Sequence, residues 1–198
     1  AMTQGSIHVL GMRSDPNSDF HNLPALVRDL HRDNLYARSA VVDAHDFRNS
    51  LKDCVAVMGG AFFQPNIIFA AVEGRDDADI ASIIQVAKAS TMSVVLLVRH
   101  PEAALGRESS VNVWVRDQSP DWSLGLQLAN LDCAVLLSHQ LKKNWGASVR
   151  MLTVVKDAEH VELAQNYLTE LVGLARMSRN VEVQVEHGSF NDFVPHAP

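Results

Sequence analysis

With 198 residues, an apolar fraction of 47% and a net charge of −6, the chain has material for one substantial domain or two smaller ones and lacks the composition of a disordered protein. The acidic balance excludes a general nucleic-acid binder, which needs a basic face to displace the counterions of a phosphate backbone. No apolar run of about eighteen residues is present to cross a bilayer, and residues 1–6 have neither the basic start nor the apolar centre of a signal peptide, so they read as a cloning leader ahead of an interior start.

In chain order, residues 7–12 (IHVLGM) read as a strand. Residues 23–34 read as a short helix with Pro24 in its first turn, where a missing N–H removes no bond. A β-branched strand follows at 36–44. The next helix runs from Phe47 to about Phe63, with Asp46 as N-cap and a weak end at Gly59-Gly60. Residues 66–72 (NIIFAAV) are continuously apolar, the pattern of a strand covered on both faces. Asp76-Asp77 opens a helix that places Ile80, Ile83, Ile84 and Ala87 on one face. Residues 93–98 (SVVLLV) give the clearest buried strand of this half.

The polar segment 99–110, with Pro101 and Gly106, is the expected boundary. Beyond it come a short strand at 111–115, a long helix at 122–145 and a buried strand at 148–155. A helix at 159–177 follows, with Val161, Ala164, Leu168, Leu171, Val172 and Ala175 at helical spacing, and then a strand at 181–185. Lys142-Lys143 falls at the end of the long helix, where positive charge complements the helix dipole. Strands separated by helices pair in parallel, because a parallel neighbour needs a crossover connection. The expected fold is therefore α/β, a mostly parallel sheet flanked by helices, in two halves at 7–100 and 111–187. The loop 101–110 joins them, and a loose tail from Gly188 follows. The element order suggests two degenerate copies of one unit.

Ligands of open parallel sheets sit beyond the carboxyl ends of the strands. The residues there are Arg13, Ser14, Asp43, Arg99, His100, Arg116 and Asp117, the candidate ligand-binding set, together with Asp15, Glu73 and Lys156-Asp157. Polar residues are also what any strand shows on emerging into water, so the same set fits a solvated rim. Neither GxGxxG nor GxxxxGK[ST] occurs, and Gly59-Gly60 lies inside a helical stretch, so the glycine-rich turn that cradles phosphate is missing. No GxSxG elbow occurs, and no nucleophile–base–orienter set assembles from adjacent elements, so no catalytic residue is assigned. His45 beside Asp43 and Asp46 has the composition of a proton shuttle or metal site but sits where a helix cap is expected. Cys54 and Cys133 belong to no CxxC pair and to no zinc-like cluster. Both read as buried, reduced thiols of a cytosolic compartment. Trp114, Trp122 and Trp145 flank the long helix, as anchors of its ends or as part of a partner surface.

Several strings in register carry a resemblance: PNIIF at 65–69, VVLLVRHPE at 94–102, VNVWVRD at 111–117, LLSHQLKKNW at 136–145 and VRMLTVV at 149–155. Together they resemble the cytosolic C-terminal domain of bacterial cation-chloride cotransporters, secondary transporters with an amino-acid-permease-like membrane part. The resemblance spans about residues 7–185. It departs after the Trp114 strand, where eukaryotic relatives carry a glycine pair and this chain has Ser119-Pro120-Asp121-Trp122, with Gly125 later. The phosphorylation-rich insertions of animal relatives are also missing.

The resemblance implies two halves similar to universal stress proteins. It implies a homodimer, a link to the membrane domain of the same polypeptide, a place on the cytoplasmic face of the membrane, and no transport or catalytic residues. No cofactor is implied, although some relatives bind a nucleotide in this domain. A nucleotide- or small-ligand-sensing module is thus the alternative reading, and a stand-alone hydrolase or transferase ranks last.

Overall fold

Strand β1 (Ser6–Arg13) and strand β2 (Tyr36–Asp43) pair in parallel, in unbroken register from Ser6 with Tyr36 to Arg13 with Asp43. These and the following elements come from a computed structural model of the chain. It describes residues 5–15, 17, 19–61, 64–123, 129–177 and 181–193, with the backbone alone at 129–132. The first residues of the expected leader, Phe63 at the expected end of the second helix, Gly125 and the final residues 194–198 lie outside the described residues.

Helix α1 (Leu23–Arg32) supplies the β1–β2 crossover, with Pro24 in its first turn. Its approach depends on Gly11. A Cβ there would lie 2.8 Å from the Phe20 ring and 3.1 Å from Leu23 Cδ1, so the missing side chain lets both settle on the strand. Helices α2 (Phe47–Gly59) and α3 (Asp77–Ala89) start alike. Asp46 accepts a hydrogen bond from the Asn49 amide at 2.8 Å, and Asp76 accepts one from the Asp79 amide at 2.7 Å. Helix α2 stops at Gly59, short of the expected Phe63, at the glycine pair that the sequence marked as weak.

Strands β3 (Ile67–Ala71) and β4 (Ser93–Leu97) form a second parallel pair. On one face Ile68, Ala70, Val94 and Leu96 pack on Leu51 and Val55 of α2 and Ile83 and Val86 of α3. The other face corrects the sequence expectation of double coverage: Ile67 is 45% and Phe69 63% exposed. A continuous apolar run shows that both faces are apolar, not that both find a partner. Helix α3 is corrected in the same way. Its buried positions are Ser82, Ile83, Val86 and Ala87, whereas Ile84, expected on the core face, is 46% exposed.

In the second half, strands β5 (Ser110–Trp114), β6 (Ser148–Val155) and β7 (Val181–His187) form a parallel sheet in the order β5-β6-β7. Helices α4 (Ala129–Trp145) and α5 (Val161–Leu174) provide the crossovers, and a 3-10 turn at Ala158–His160 leads into α5. Val149, Met151, Thr153 and Val155 of the central strand are at most 1% exposed. The core joins Val113, Val149 and Met151 to Val135 of α4 and to Tyr167, Leu168 and Leu171 of α5. Trp122 does not start α4, as expected from the sequence, but lies in the preceding loop with its ring edge-on to Tyr167 at 5.4 Å. The tail expected to be loose holds one helical turn, α6 (Phe190–Phe193), whose Phe190 meets Trp114 edge-on at 5.2 Å. All ladders among the described residues are parallel, in one three-stranded and two two-stranded sheets. The chain divides into two compact units, 1–99 and 100–198.

Four of the helices share one ending. After α1, α3, α4 and α5, the residues Asn34, Thr91, Gly146 and Arg176 take positive φ. The next amide in each case bonds a carbonyl five residues back: Leu35 to Leu30, Met92 to Ala87, Ala147 to Lys142 and Met177 to Val172. This is the Schellman arrangement, usually built on glycine. Gly146 supplies the glycine and Asn34 the asparagine that such ends favour, so only Thr91 and Arg176 carry no sequence signal. Thr91, at φ 54, is β-branched and strained there. Thr91→Gly is expected to stabilise the chain by about 1 kcal/mol, read as a raised urea midpoint at unchanged slope.

Candidate functional site

The carboxyl ends of the strands hold the predicted candidates, and four of these residues close on one another in two pairs. Arg13 and Asp43 are register partners at the ends of β1 and β2. The Arg13 Nε and a terminal nitrogen both approach Asp43 Oδ1 at 2.6 Å. At the ends of β3 and β4, Glu73 Oε1 accepts from the Arg99 amide at 2.8 Å and from Arg99 Nε at 3.1 Å. Each pair laces two neighbouring parallel strands together where their ladder stops. Ser14 is exposed just past Arg13.

His100 serves the backbone. Its Nδ1 accepts from the Glu102 amide at 3.2 Å and the Ala103 amide at 3.1 Å, so it caps the turn that Pro101 begins. Asp46 caps α2 and Asp43 holds Arg13, leaving His45 an exposed residue between two committed carboxylates. Among the described residues no three His, Cys, Asp or Glu side chains are placed to hold a metal ion. Cys54 and Cys133 are half-buried and unpaired.

Hydrogen bonds from its own amide, the Arg99 amide and the Arg99 guanidinium hold the Glu73 carboxyl below the usual carboxylate range. A depressed folded pKa adds stability above the unfolded value, and that contribution is lost as pH falls through the folded pKa. The β3–β4 tie is therefore complete at neutral pH and opens only in acid. Arg99→Gln is expected to move the Glu73 carboxyl titration, followed by NMR, upward towards its ordinary value. An unmoved midpoint would show that Arg99 does not hold this carboxylate.

The second unit gathers a more connected cluster at the ends of β5 and β6. Asp117 Oδ1 accepts from the Ser119 amide at 2.8 Å. Ser119 Oγ accepts from Trp122 Nε1 at 3.2 Å and lies 3.1 Å from His160 Nδ1. Burial pushes the Asp117 carboxyl up. The Ser119 hydroxyl and amide, the charge of His160 and the Lys156 amide outweigh that and leave it below its usual value. Arg116 is exposed, and its carbonyl accepts from Gln118 Nε2 at 2.9 Å.

Ser119 beside His160 has the composition of a nucleophile and base, but the geometry does not complete a triad. Ser119 and Asp157, at 3.8 Å, both approach Nδ1, while Glu159 stands 4.0 Å from Nε2. An orienting acid must hydrogen-bond the ring nitrogen opposite the nucleophile. The cluster instead joins the loop after β5 to the turn that opens α5, with Trp122 packed on Tyr167 beside it. Sequence reasoning missed Ser119 and His160. The available signal was position, since Ser119 follows Asp117 by two residues and His160 follows Asp157 by three, at the ends of adjacent parallel strands.

Residues 1–105 match the family described as the prokaryotic cation-chloride cotransporter C-terminal domain, first part, and residues 106–198 match its second part. The chain belongs to this family. A crystal structure of the cytoplasmic domain of a prokaryotic cation chloride cotransporter is similar to it, with TM-score 0.78 and 29% identity over 93% of this chain and 69% of that one. A universal stress protein from Archaeoglobus fulgidus DSM 4304 superposes more loosely, with TM-score 0.49 and 13% identity over 93% of this chain and 67% of that one. No curated protein sequence matches the chain significantly. In this cotransporter C-terminal domain, Arg13, Ser14, Asp43, Arg99 and His100 fall in the first family segment and Arg116 and Asp117 in the second. Among the described residues no helix is long and apolar enough to cross a membrane.

Proposed function

We propose that this chain is the cytoplasmic regulatory and dimerisation domain of a cation-chloride cotransporter-like membrane protein, and that it makes and breaks no bonds. The observation that carries this reading is the commitment of the strand-end side chains. Arg13 holds Asp43, Arg99 holds Glu73, His100 caps a turn, and Ser119 links Asp117 to His160. The edge where an α/β enzyme displays its reacting groups is here spent on tying strands and loops together. Membership of a transporter family and similarity to a cytoplasmic domain support a place beneath the membrane, joined to the membrane part of the same polypeptide. In this reading the halves 7–100 and 111–187, joined by 101–110, form the platform through which two copies associate.

Size-exclusion chromatography with light scattering on the chain, and disulfide crosslinking in the membrane-inserted transporter, test this proposal. A concentration-dependent dimer in the first or a specific crosslinked pair in the second is the expected result. A monomer in both removes dimerisation from the proposal. The second reading, a nucleotide- or small-ligand-sensing module, draws on the exposed Arg116 and Lys156 beside the Asp117–Ser119–His160 cluster. ATP and ADP at millimolar concentration would then raise the thermal midpoint in a dose-dependent way, and an unmoved midpoint removes that reading.

A further inference from the structure

An open groove of about 420 Å³ runs between the β1–β2 ladder and α2, within the size range of small-molecule sites. It lies wholly within residues 8–58 and away from the strand-end pairs. Register partners in a parallel pair project to the same face, so His8 stands beside Arg38, Leu10 beside Ala40 and Met12 beside Val42. The opposite face, at Gly11, is the one that Phe20 and Leu23 cover. The floor thus changes character along its length, from two nitrogen-bearing side chains at one end to aliphatic ones beyond.

Helix α2 supplies the groove wall through Asp53, Cys54, Val57 and Met58. Asp53 lies one helical turn before Val57, about 6 Å along the axis.

The nitrogen end has unmet chemistry. His8 Nε2 is shielded from solvent and has no hydrogen-bond partner, a condition that costs free energy unless something fills it. Arg38 has its guanidinium 5.3 Å above the Tyr36 ring and, among the described residues, has no carboxylate within ion-pair distance. Arg13, Arg99 and Arg150 each hold one. Val57 of the groove wall stands 77% exposed. A planar fork next to an imidazole matches a carboxylate, and the aliphatic floor matches an unbranched chain.

We propose that this groove binds an amphiphilic monocarboxylate of medium chain length. The carboxylate meets the Arg38 guanidinium beside the His8 ring, and the tail lies along Leu10, Ala40 and Val42 beneath Val57 and Met58. The site shares no residue with the Asp117–Ser119–His160 cluster, so it stands or falls independently of the nucleotide reading.

NMR titration of the 198-residue chain with sodium octanoate tests it, with octylammonium as the probe of identical tail and opposite head. Octanoate is expected to shift the His8, Ala40 and Met58 signals saturably in the low millimolar range or below, with octylammonium weaker by about tenfold or more. Arg38→Gln is expected to weaken octanoate about tenfold, the loss of one charge-assisted interaction. Val57→Trp, a substitution at an exposed helical position, is expected to fill the groove and abolish both titrations. The proposal is overturned if octanoate leaves the His8 and Ala40 signals unmoved. It is equally overturned if octylammonium binds as tightly, or if Arg38→Gln binds octanoate as well as the parent.

Discussion

Replacing Leu168 by alanine is expected to destabilise the chain by about 3–4 kcal/mol, the cost of removing a fully enclosed leucine and leaving a void that its neighbours refill only in part. Leu168 is 0% exposed and sits on α5 among Val149, Met151 and Tyr167. Because the central strand is buried from Met151 to Val155, its side chains have little room to collapse into the space. A domain of this size is stable by only about 5–15 kcal/mol in total, so the loss is a large share. All three tryptophans lie in the second unit, and Trp122 touches Tyr167, one residue from the substitution. Tryptophan fluorescence during urea unfolding therefore reports on the affected core, and the midpoint should fall with the slope preserved. A loss below about 1 kcal/mol would mean that α5 does not seat on the sheet as described.

The second large effect separates two adjacent isoleucines. Ile83→Ala is expected to cost about 2–4 kcal/mol, whereas Ile84→Ala should stay within about 1 kcal/mol. Ile83 is 1% exposed in the core with Leu51, Val55 and Val86, and Ile84 is 46% exposed. Successive helical residues are rotated by about 100°, so two neighbours of identical chemistry look in different directions. The buried set Ser82, Ile83, Val86 and Ala87 centres the face on one side of Ile83 and leaves Ile84 beyond its edge. Alanine lowers no helix propensity at either site, so the contrast isolates burial. Amide hydrogen exchange along β3 and β4 would register it, because those strands pack on this face. Equal losses at the two positions would place the helix in a different rotation.

The same helix shows where reading the sequence stopped. An apolar stripe at 80, 83, 84 and 87 is compatible with two rotations, and only the strand beneath chooses between them. The apolar run at 67–71 likewise predicted a strand correctly, but Phe69 at 63% exposure shows that coverage of its second face was not encoded in the run. Helix ends followed a related rule. The Asp46 and Asp76 caps were legible because a carboxylate ahead of an apolar pattern has one economical use. The endings at Thr91 and Arg176 were not legible, because positive φ without glycine or asparagine is imposed by the chain's return to the sheet. At the candidate site, the residue types were legible and their partners were not. Arg13, Asp43, Glu73 and Arg99 were visible as strand-end charges, yet their pairing depends on which strands are neighbours and in what register.

The alternation of apolar strands with capped helices was enough by itself to determine parallel α/β units, because a parallel neighbour is reached through a crossover connection, usually a helix. The family was legible as a resemblance, carried by strings distributed along both halves. The tertiary structure alone decided which strand-end charges meet, which isoleucine is enclosed, and that His8 and Arg38 stand side by side at the end of an apolar groove. Those outcomes depend on distances between segments remote in sequence, and side-chain periodicity carries information only about direction within one segment.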